Sequence, residues 1–206
     1  VYQHDRFGCV LMSRSIQLFI KRLIDVGVCL VLLVLGSPLL AVCAVVVKLS
    51  SPGPVFFVQT RVGRNEKPYR MIKFRTMTGA PDPQSMKWSA REEARITGAG
   101  HFLRDYGIDE LPQLINIIKG DMSIIGPRSP LPQQVKMFPA RYKKMFAMRP
   151  GVLSLAVIAG RRSVPIEKRY ELHVQYVETW SLALDLKILW RSLFVVLRRE
   201  SARDRL

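Results

Sequence analysis

The sequence has few of the residues that build disulfides and soft metal sites. Only three cysteines and three histidines occur among its 206 residues. Cys29 and Cys43 lie in an apolar stretch, and no cysteine pair has the spacing of a zinc site. The histidines, His4, His101 and His173, lack ligand partners at metal-site spacing. We therefore expect neither a disulfide framework nor a histidine-based metal centre, which fits a reducing, cytoplasm-facing compartment.

Acidic residues are also scarce, since 16 Asp and Glu stand against 32 Lys and Arg and give a formal net charge of +16 at pH 7. Such an excess implies an anionic partner: nucleic acid, an anionic lipid leaflet or a phosphate-rich substrate. A nucleic-acid-binding protein would be soluble without detergent, and the apolar stretch described next argues against it. We therefore favour a membrane surface and a phosphate-rich substrate, handled by one domain.

Charge is absent altogether from residues 26–47, which form a continuous apolar run. About 20 apolar helical residues cross the hydrocarbon core of a bilayer, so this run predicts a membrane helix. Pro38 removes a backbone donor from the middle of the run and predicts a bend at Ser37 and Pro38. An amphipathic helical pattern that starts at Ser13 leads into the run.

The path of this helix through the membrane has two interpretations. Basic residues flank the run on both sides: Lys21 and Arg22 precede it, and Lys48, Arg61 and Arg64 follow it. Because cytoplasmic segments attract Lys and Arg, both ends are predicted to lie on the same side, as in a re-entrant helix that turns at Ser37 and Pro38. A helix that spans the bilayer with a proline kink is an almost equal alternative.

The remaining chain predicts an α+β fold that is mostly helical. The β-prone segments 55–58 and 69–74 flank a turn at 63–66 and predict a β-hairpin. Lys73 and Arg75 would lie on one face of the hairpin and hold one phosphate, or else form a solvated basic edge. A polar loop at 79–89 precedes the later elements. Helices are predicted at residues 111–120, 133–148, 167–179 and 181–197, with a strand-like run at 152–158.

Two adjacent carboxylates, Asp109 and Glu110, precede the helix predicted at 111–120. The amino end of a helix favours anions, which keeps a carboxylate ionised and also attracts a phosphate. An ionised aspartate beside a metal ion and a bound phosphate can act as a nucleophile. Helix capping is the simpler explanation of both carboxylates from these residues alone.

Five segments in order resemble the bacterial monotopic phosphoglycosyl transferases, and the resemblance covers residues 21–193. The segments are Ser37 with Pro38, residues 73–77 (KFRTM), 109–114 (DELPQL), 119–123 (KGDMS) and 126–128 (GPR). The resemblance implies an enzyme that moves a sugar phosphate from a UDP-sugar to a polyprenyl (undecaprenyl) phosphate and releases UMP. This reaction would be the first membrane step of surface-glycan synthesis, at the cytoplasmic face of the bacterial inner membrane.

The resemblance also implies roles for individual residues. Asp109 would be the nucleophile that forms a phosphosugar intermediate, and Glu110 its partner, with both carboxylates holding Mg²⁺. The membrane helix would be re-entrant and broken at Ser37 and Pro38. Basic residues would neutralise the donor diphosphate and the acceptor phosphate: Lys73, Arg75, Arg104, Arg128, Arg149 and Arg161. The chain would then comprise an arm (1–12), the amphipathic and re-entrant helix (13–49), and a cytoplasmic catalytic domain with interfacial helices (50–206).

The sequence departs from the family pattern in places. Ser129 follows Arg128 where the family has proline, Val157 and Ala159 stand in place of Gln and Asn, and His173 in place of Asp. These changes leave the two carboxylates intact, so we expect residues 152–162 to alter the choice of donor. A weakly active membrane scaffold that binds a partner glycan enzyme is the alternative, and UMP release from UDP-sugars separates the two.

Overall fold

The computed structural model describes residues 13–79, 93–160 and 164–197. The predicted arm (1–12), most of the predicted loop at 79–89, and Arg161 lie outside these ranges. The described helices are α1 (Arg14–Ser50), α2 (Gly98–Asp105), α3 (Gln113–Lys119), α4 (Pro132–Val135), α5 (Leu155–Ile158), α6 (Ile166–Thr179) and α7 (Leu182–Leu197). The described strands are β1 (Phe56–Val62), β2 (Pro68–Phe74), β3 (Ser123–Ile125) and β4 (Gly151–Leu153). Single 3-10 turns cover Arg64–Glu66 and Ile108–Glu110, and a longer 3-10 helix covers Ala140–Ala147.

Helix α1 joins the amphipathic lead-in and the apolar run into one helix of 37 residues. The Ser13 hydroxyl accepts a hydrogen bond from the Ile16 amide at its start, as N-cap serines do. The helix continues through Pro38, and Ser37 Oγ donates to the Val34 carbonyl at 2.8 Å. The expected bend at Pro38 therefore does not end the helix, and the re-entrant path stays a prediction. Among the described helices, α1 is the one long and apolar enough to cross a membrane.

The predicted hairpin is confirmed. Strands β1 and β2 pair antiparallel, with Phe56 opposite Phe74 and Val62 opposite Pro68. Tyr69, Met71 and Phe74 of β2 are buried, so one face of the hairpin contributes to the core. This arrangement places Lys73 at the end of β2 that lies nearest the predicted carboxylate pair.

A second, parallel pair of strands, β3 and β4, was not predicted. The run at 152–158 was expected to be one strand, but only Gly151–Leu153 is extended, and α5 follows it directly. Gly126 donates its amide to the Leu153 carbonyl at 2.9 Å, and a side chain on Gly126 or Gly151 would collide with the facing backbone. The two glycines therefore permit a close approach that strand propensity alone does not signal.

The helix predicted at 133–148 was also wrong. The structure divides it into α4 and the 3-10 turn Ala140–Ala147, with Pro139 between them. Proline has no amide donor and clashes with the preceding turn, so a continuous helix there is disfavoured. The two C-terminal helices, α6 and α7, agree with the predictions at 167–179 and 181–197.

Helix α1 packs against the rest of the chain through both of its halves. Cys29 in the first half lies in a core with Met71 and Ile117. Cys43 and Val47 in the second half lie in another core with Phe74 and Leu103. The middle of the helix is open, since Val34 is 70% exposed and Leu35 is 75% exposed. The boundary proposed at residue 50 rests on the sequence and stays a prediction.

A buried polar cluster holds the start of α1 to the C-terminal helices. Lys21 Nζ lies 2.7 Å from Asp185 Oδ2, and both side chains are about nine-tenths buried. Asp185 also accepts hydrogen bonds from the Tyr176 hydroxyl at 2.7 Å and from Trp180 Nε1 at 3.2 Å. These donors compensate the buried charge of the carboxylate.

Arg22 and Asp25 connect α1 to the centre of the domain. Arg22 donates to the carbonyls of Ile117 and Ile118 at 2.6 and 2.9 Å, at the C-terminal end of α3. Asp25 accepts from Ser123 Oγ at 2.7 Å and from the Ile124 amide at 3.1 Å, at the start of β3. Helix α1 is therefore fastened to the elements around the candidate site, not only packed on them.

Replacing Lys21 with methionine is expected to destabilise the fold strongly. Lys21→Met leaves the buried Asp185 carboxylate without its cation, which costs about 3–5 kcal/mol. The matched control is Lys144→Met, because Lys144 and Glu178 also lie 2.7 Å apart but are 64% and 50% exposed. Exposed pairs contribute about 0–1 kcal/mol. Denaturant unfolding of the detergent-solubilised chain measures both variants, and equal losses would contradict the prediction.

Candidate active site

Asp109 and Glu110 lie in the 3-10 turn Ile108–Glu110 between α2 and α3. Gly107 opens this turn with φ of +69°, a left-handed conformation that favours glycine. The carboxylates were predicted at the amino end of one helix, but α3 begins only at Gln113 and its N-cap residue, Pro112, has no side-chain bond. Capping of α3 therefore does not account for the carboxylates.

Glu110 is paired with two cations from different parts of the fold. Lys73 Nζ, at the end of β2, lies 2.5 Å from Glu110 Oε1, and Arg128, in the segment after β3, approaches the same oxygen at 3.4 Å. Burial alone would raise the pKa of Glu110, but Lys73 and Arg128 outweigh burial and lower it to about 2. Glu110 is therefore ionised at any physiological pH.

Asp109 has a different environment from its neighbour. Burial raises its pKa above the ordinary value, against the opposing effect of Lys73, and the charge of Glu110 raises it further. Arg104 on α2 and Arg128 lower it. Within the described ranges no side chain donates a hydrogen bond to the Asp109 carboxylate. The Glu110 carboxylate is thus engaged by cations through Oε1, whereas the Asp109 carboxylate is available to a substrate or a metal ion.

Lys73 contributes a buried cation to this site. Burial lowers its pKa, and the charge of Glu110 largely opposes that effect. Its side chain is 15% exposed, and the side chain of Glu110 is 22% exposed. The pair is accordingly shielded from solvent and makes a fixed contact between the hairpin and the carboxylate turn.

Asn116 fixes α3 to the hairpin and was missed in the sequence. Its Oδ1 accepts from the Ile72 amide at 3.0 Å, and its Nδ2 donates to the Arg70 carbonyl at 2.7 Å. The side chain therefore satisfies both backbone groups of β2 that face it. The signal in the sequence was the presence of two amides, Gln113 and Asn116, inside an apolar helical pattern.

The other predicted basic residues are divided among several places. Arg104 lies close enough to Asp109 to affect its pKa. Arg75 does not join Lys73 in contacting the carboxylate pair: its guanidinium donates to the carbonyls of Val47 and Ser51 at 3.1 and 2.6 Å.

Arg149 likewise serves the backbone. Its Nε donates to the Gly120 carbonyl at 2.9 Å, beyond the C-terminal end of α3. Arg161 lies outside the described residues. Val157 and Ala159, where a change in donor contacts was predicted, lie in and just after α5, half-buried and exposed respectively. The structure therefore brings together Asp109, Glu110, Lys73, Arg104 and Arg128 from the predicted set.

Magnesium requires few protein ligands when a substrate supplies phosphate oxygens. The described part of the chain contains no group of three or more His, Cys, Asp or Glu residues that would hold a metal ion alone. Asp109 and Glu110 provide two adjacent carboxylates, and the one on Asp109 accepts no hydrogen bond within the described ranges. These residues fit a Mg²⁺ site that substrate phosphates complete, and the metal itself stays a prediction.

Comparison with known proteins gives consistent matches over most of the chain. Residues 16–199 match the family described as bacterial sugar transferase. The uncharacterized sugar transferase EpsL of Bacillus subtilis is 40% identical over 172 residues, which are 84% of this chain and 84% of that protein.

Two further relatives carry names that describe a reaction or a product. UDP-glucose:undecaprenyl-phosphate glucose-1-phosphate transferase of Caulobacter vibrioides is 37% identical over 190 residues, or 88% of this chain and 71% of that protein. Exopolysaccharide production protein ExoY of Rhizobium meliloti is 35% identical over 188 residues, or 84% of this chain and 83% of that protein.

The Lys73–Glu110 pair is expected to make stability sensitive to acid. The pKa of Glu110 is lowered from 4.5 to about 2, so its stabilising effect is complete above pH 4.5 and is lost as the pH falls toward 2. One pKa unit corresponds to about 1.4 kcal/mol, which limits this contribution to about 3 kcal/mol.

Lys73→Met is expected to be less stable than the natural chain at pH 7, and the difference should narrow as the pH falls below 4.5. Lys67→Met, at an exposed position in the same hairpin, is the control and should show a constant difference. Denaturant midpoints from pH 7 to 3 measure this. If the stability difference between Lys73→Met and the natural chain did not change with pH, loss of the Lys73–Glu110 pair would not be its cause.

Proposed function

Because the chain belongs to the bacterial sugar transferase family, we propose that it transfers a sugar-1-phosphate from a UDP-sugar to undecaprenyl phosphate in the synthesis of an exopolysaccharide or related surface glycan. The transferase predicted from the sequence motifs is confirmed by the family match. The relatives named for undecaprenyl-phosphate transfer and for exopolysaccharide production support the acceptor and the pathway class. The observation that carries the proposal is the Asp109–Glu110 pair beside Lys73 and Arg128.

The arrangement supports a two-step mechanism with Asp109 as the nucleophile. In the first step an Asp109 carboxylate oxygen attacks the sugar-linked phosphorus, and the bond from that phosphorus to the bridging oxygen breaks, so UMP leaves with the electron pair. In the second step a phosphate oxygen of the acceptor attacks the same phosphorus and displaces Asp109. The carboxylate is regenerated, and the product is a polyprenyl diphosphate sugar.

The two carboxylates would serve different purposes in this mechanism. Glu110 stays ionised because Lys73 and Arg128 hold its charge, so it is a fixed anion that orients those cations. Asp109 carries the reaction because its carboxylate accepts no hydrogen bond within the described ranges. Asp109 and Glu110 would hold Mg²⁺, whose charge would offset that of the donor diphosphate. Arg104 and Arg128 would stabilise the charge that develops on the phosphoryl oxygens.

We further infer that α1 is re-entrant and that both of its ends lie on the cytoplasmic side. Arg22, in its first half, binds carbonyls of α3, and Arg75 binds the Val47 and Ser51 carbonyls at its end. Residues near both ends are thus fastened to one domain. A spanning helix would separate its ends by about 30 Å of hydrocarbon and place them on opposite sides. The exposed middle of α1 would be the part that enters the lipid.

Asp109→Asn is expected to abolish the covalent intermediate and turnover together, because an amide is too poor a nucleophile for the first step. Incubation with UDP-glucose or UDP-N-acetylgalactosamine, without acceptor, should add a sugar-phosphate mass to Asp109 and release UMP in a burst. Intact-protein mass spectrometry measures the adduct, which should disappear when undecaprenyl phosphate is added.

Two variants make this test specific. Glu110→Gln should slow turnover and leave the nucleophile in place. Asp121→Asn is the matched control, because Asp121 lies beyond the other end of α3, where it accepts from Asn116 Nδ2 at 3.2 Å. If Asp109→Asn turned over at a rate near that of the natural chain, the assignment of the site would be abandoned.

The re-entrant path predicts that reporters on either side of α1 are labelled only from the cytoplasm. In a cysteine-free background, Ser13→Cys and Lys67→Cys place single thiols at exposed positions before and after the helix. Pro38→Ala should straighten the helix and raise labelling of the Ser13 reporter from outside, whereas Leu39→Ala should not. If the Ser13 reporter were labelled from outside the cell in the chain that keeps Pro38, the re-entrant path would be rejected.

A further inference from the structure

A second group of cations lies next to Arg128. Arg61 on β1 donates from one terminal nitrogen to the Ser129 carbonyl at 3.2 Å. Burial, and after it the charge of Arg128, lower the pKa of Arg61 to about 10. Arg61 and Arg128 are therefore like charges held close together in a partly buried region.

Helix α6 adds two more side chains to this group. Arg169 and His173 are four residues apart, so they lie on the same face of α6. His173 is 3% exposed, and burial together with Arg128 and Arg169 lowers its pKa to about 3. The imidazole is therefore neutral at physiological pH, and the charge of the group comes from the three arginines.

The charges and donors of this group are incompletely satisfied. His173 Nδ1 and Arg169 Nε are both buried and have no hydrogen-bond partner in the described part of the chain. No carboxylate within residues 13–79, 93–160 and 164–197 forms an ion pair with Arg61 or Arg169. The Arg61 guanidinium instead donates to the neutral oxygens of Gln59 and Ser129.

Buried donors that lack partners, and half-buried cations that lack a carboxylate partner, are both costly because their lost hydration is not fully replaced. A bound anion would compensate both. Arginine presents a planar set of donors that matches phosphate oxygens, and a neutral imidazole adds one N–H donor without adding charge. Arg128 contacts Glu110, so an anion bound here would lie beside the carboxylate pair.

We propose that Arg61, Arg169 and His173 form, together with Arg128, a phosphate-binding subsite adjacent to the Asp109–Glu110 pair. The proposal rests on the proposed function for the identity of its ligand. The phosphate is either the one that departs with the nucleoside as UMP or the one on the lipid acceptor. In the first case the subsite would hold the leaving phosphate while Asp109 attacks the sugar-linked phosphorus, and in the second it would hold the phosphate whose oxygen later displaces Asp109.

The test measures equilibrium binding of UMP, and separately of undecaprenyl phosphate, to the full chain in lipid nanodiscs. Arg169→Gln and His173→Phe remove an unpartnered donor each, and His173→Gln restores an N–H donor of similar reach. Arg70→Gln is the matched control, because Arg70 is an exposed arginine of the same hairpin.

Charge-assisted hydrogen bonds to phosphate predict at least about tenfold weaker binding for Arg169→Gln and His173→Phe. His173→Gln should recover most of that loss, and Arg70→Gln should bind within about twofold of the natural chain.

The outcomes distinguish the donor phosphate from the acceptor phosphate. They also distinguish failure of the subsite proposal from failure of the proposed transferase function. Weaker UMP binding assigns the subsite to the donor, and weaker undecaprenyl phosphate binding assigns it to the acceptor. If neither ligand is bound more weakly by folded Arg169→Gln, the subsite is overturned. That result would leave the transferase intact, provided that Asp109 still forms its adduct. Weaker binding in the variants, with no UMP released from any UDP-sugar, would instead support the subsite and reject the transferase.

Discussion

The contact between Lys73 and Glu110 is the interaction on which the candidate site depends. It joins the end of β2 to the turn Ile108–Glu110 across 37 residues of sequence, inside a region that solvent barely reaches. Removing either partner would leave a buried charge, so the hairpin and the turn must be positioned together. The same contact makes two neighbouring carboxylates different. Glu110 has a strongly lowered pKa, and Asp109, whose carboxylate accepts no hydrogen bond within the described ranges, has a raised one.

Helix α3 links the position of α1 to this pair. Arg22 of α1 and Arg149 donate to carbonyls at its C-terminal end, and the carboxylate turn directly precedes its N-terminal end. Helix α3 has seven residues, which at about 1.5 Å per residue makes it about 10 Å long. The distance between the α1 attachment and the carboxylates is therefore set by a short, rigid element. In the proposed reaction Asp109 would have to meet a phosphate carried by a membrane lipid, and that would require such a fixed depth.

Predictions from the sequence succeeded for features that depend on a local pattern. They failed for features that depend on contacts between residues far apart in the sequence. The hairpin, α1, α6 and α7 follow from periodicity over many residues, and the carboxylate pair followed from a motif. The parallel pairing of β3 with β4 depends on glycines 25 positions apart that let two backbones approach, and strands of three residues carry almost no periodic signal. Asn116 was missed for the same reason, because its two backbone partners lie on another element.

Charge was the least specific signal in the sequence, because the arginines serve two physical purposes that composition does not separate. Arg22, Arg75 and Arg149 donate to carbonyls at or beyond helix ends, where the partial negative charge of the helix attracts a cation. These three guanidinium groups therefore stabilise the fold and are not available to a ligand. Arg61 and Arg169 have no carboxylate partner within the described ranges, and each lies near a further cation. An anionic substrate would find its compensating charge in this second group, so the +16 excess of the chain overstates the charge available for binding.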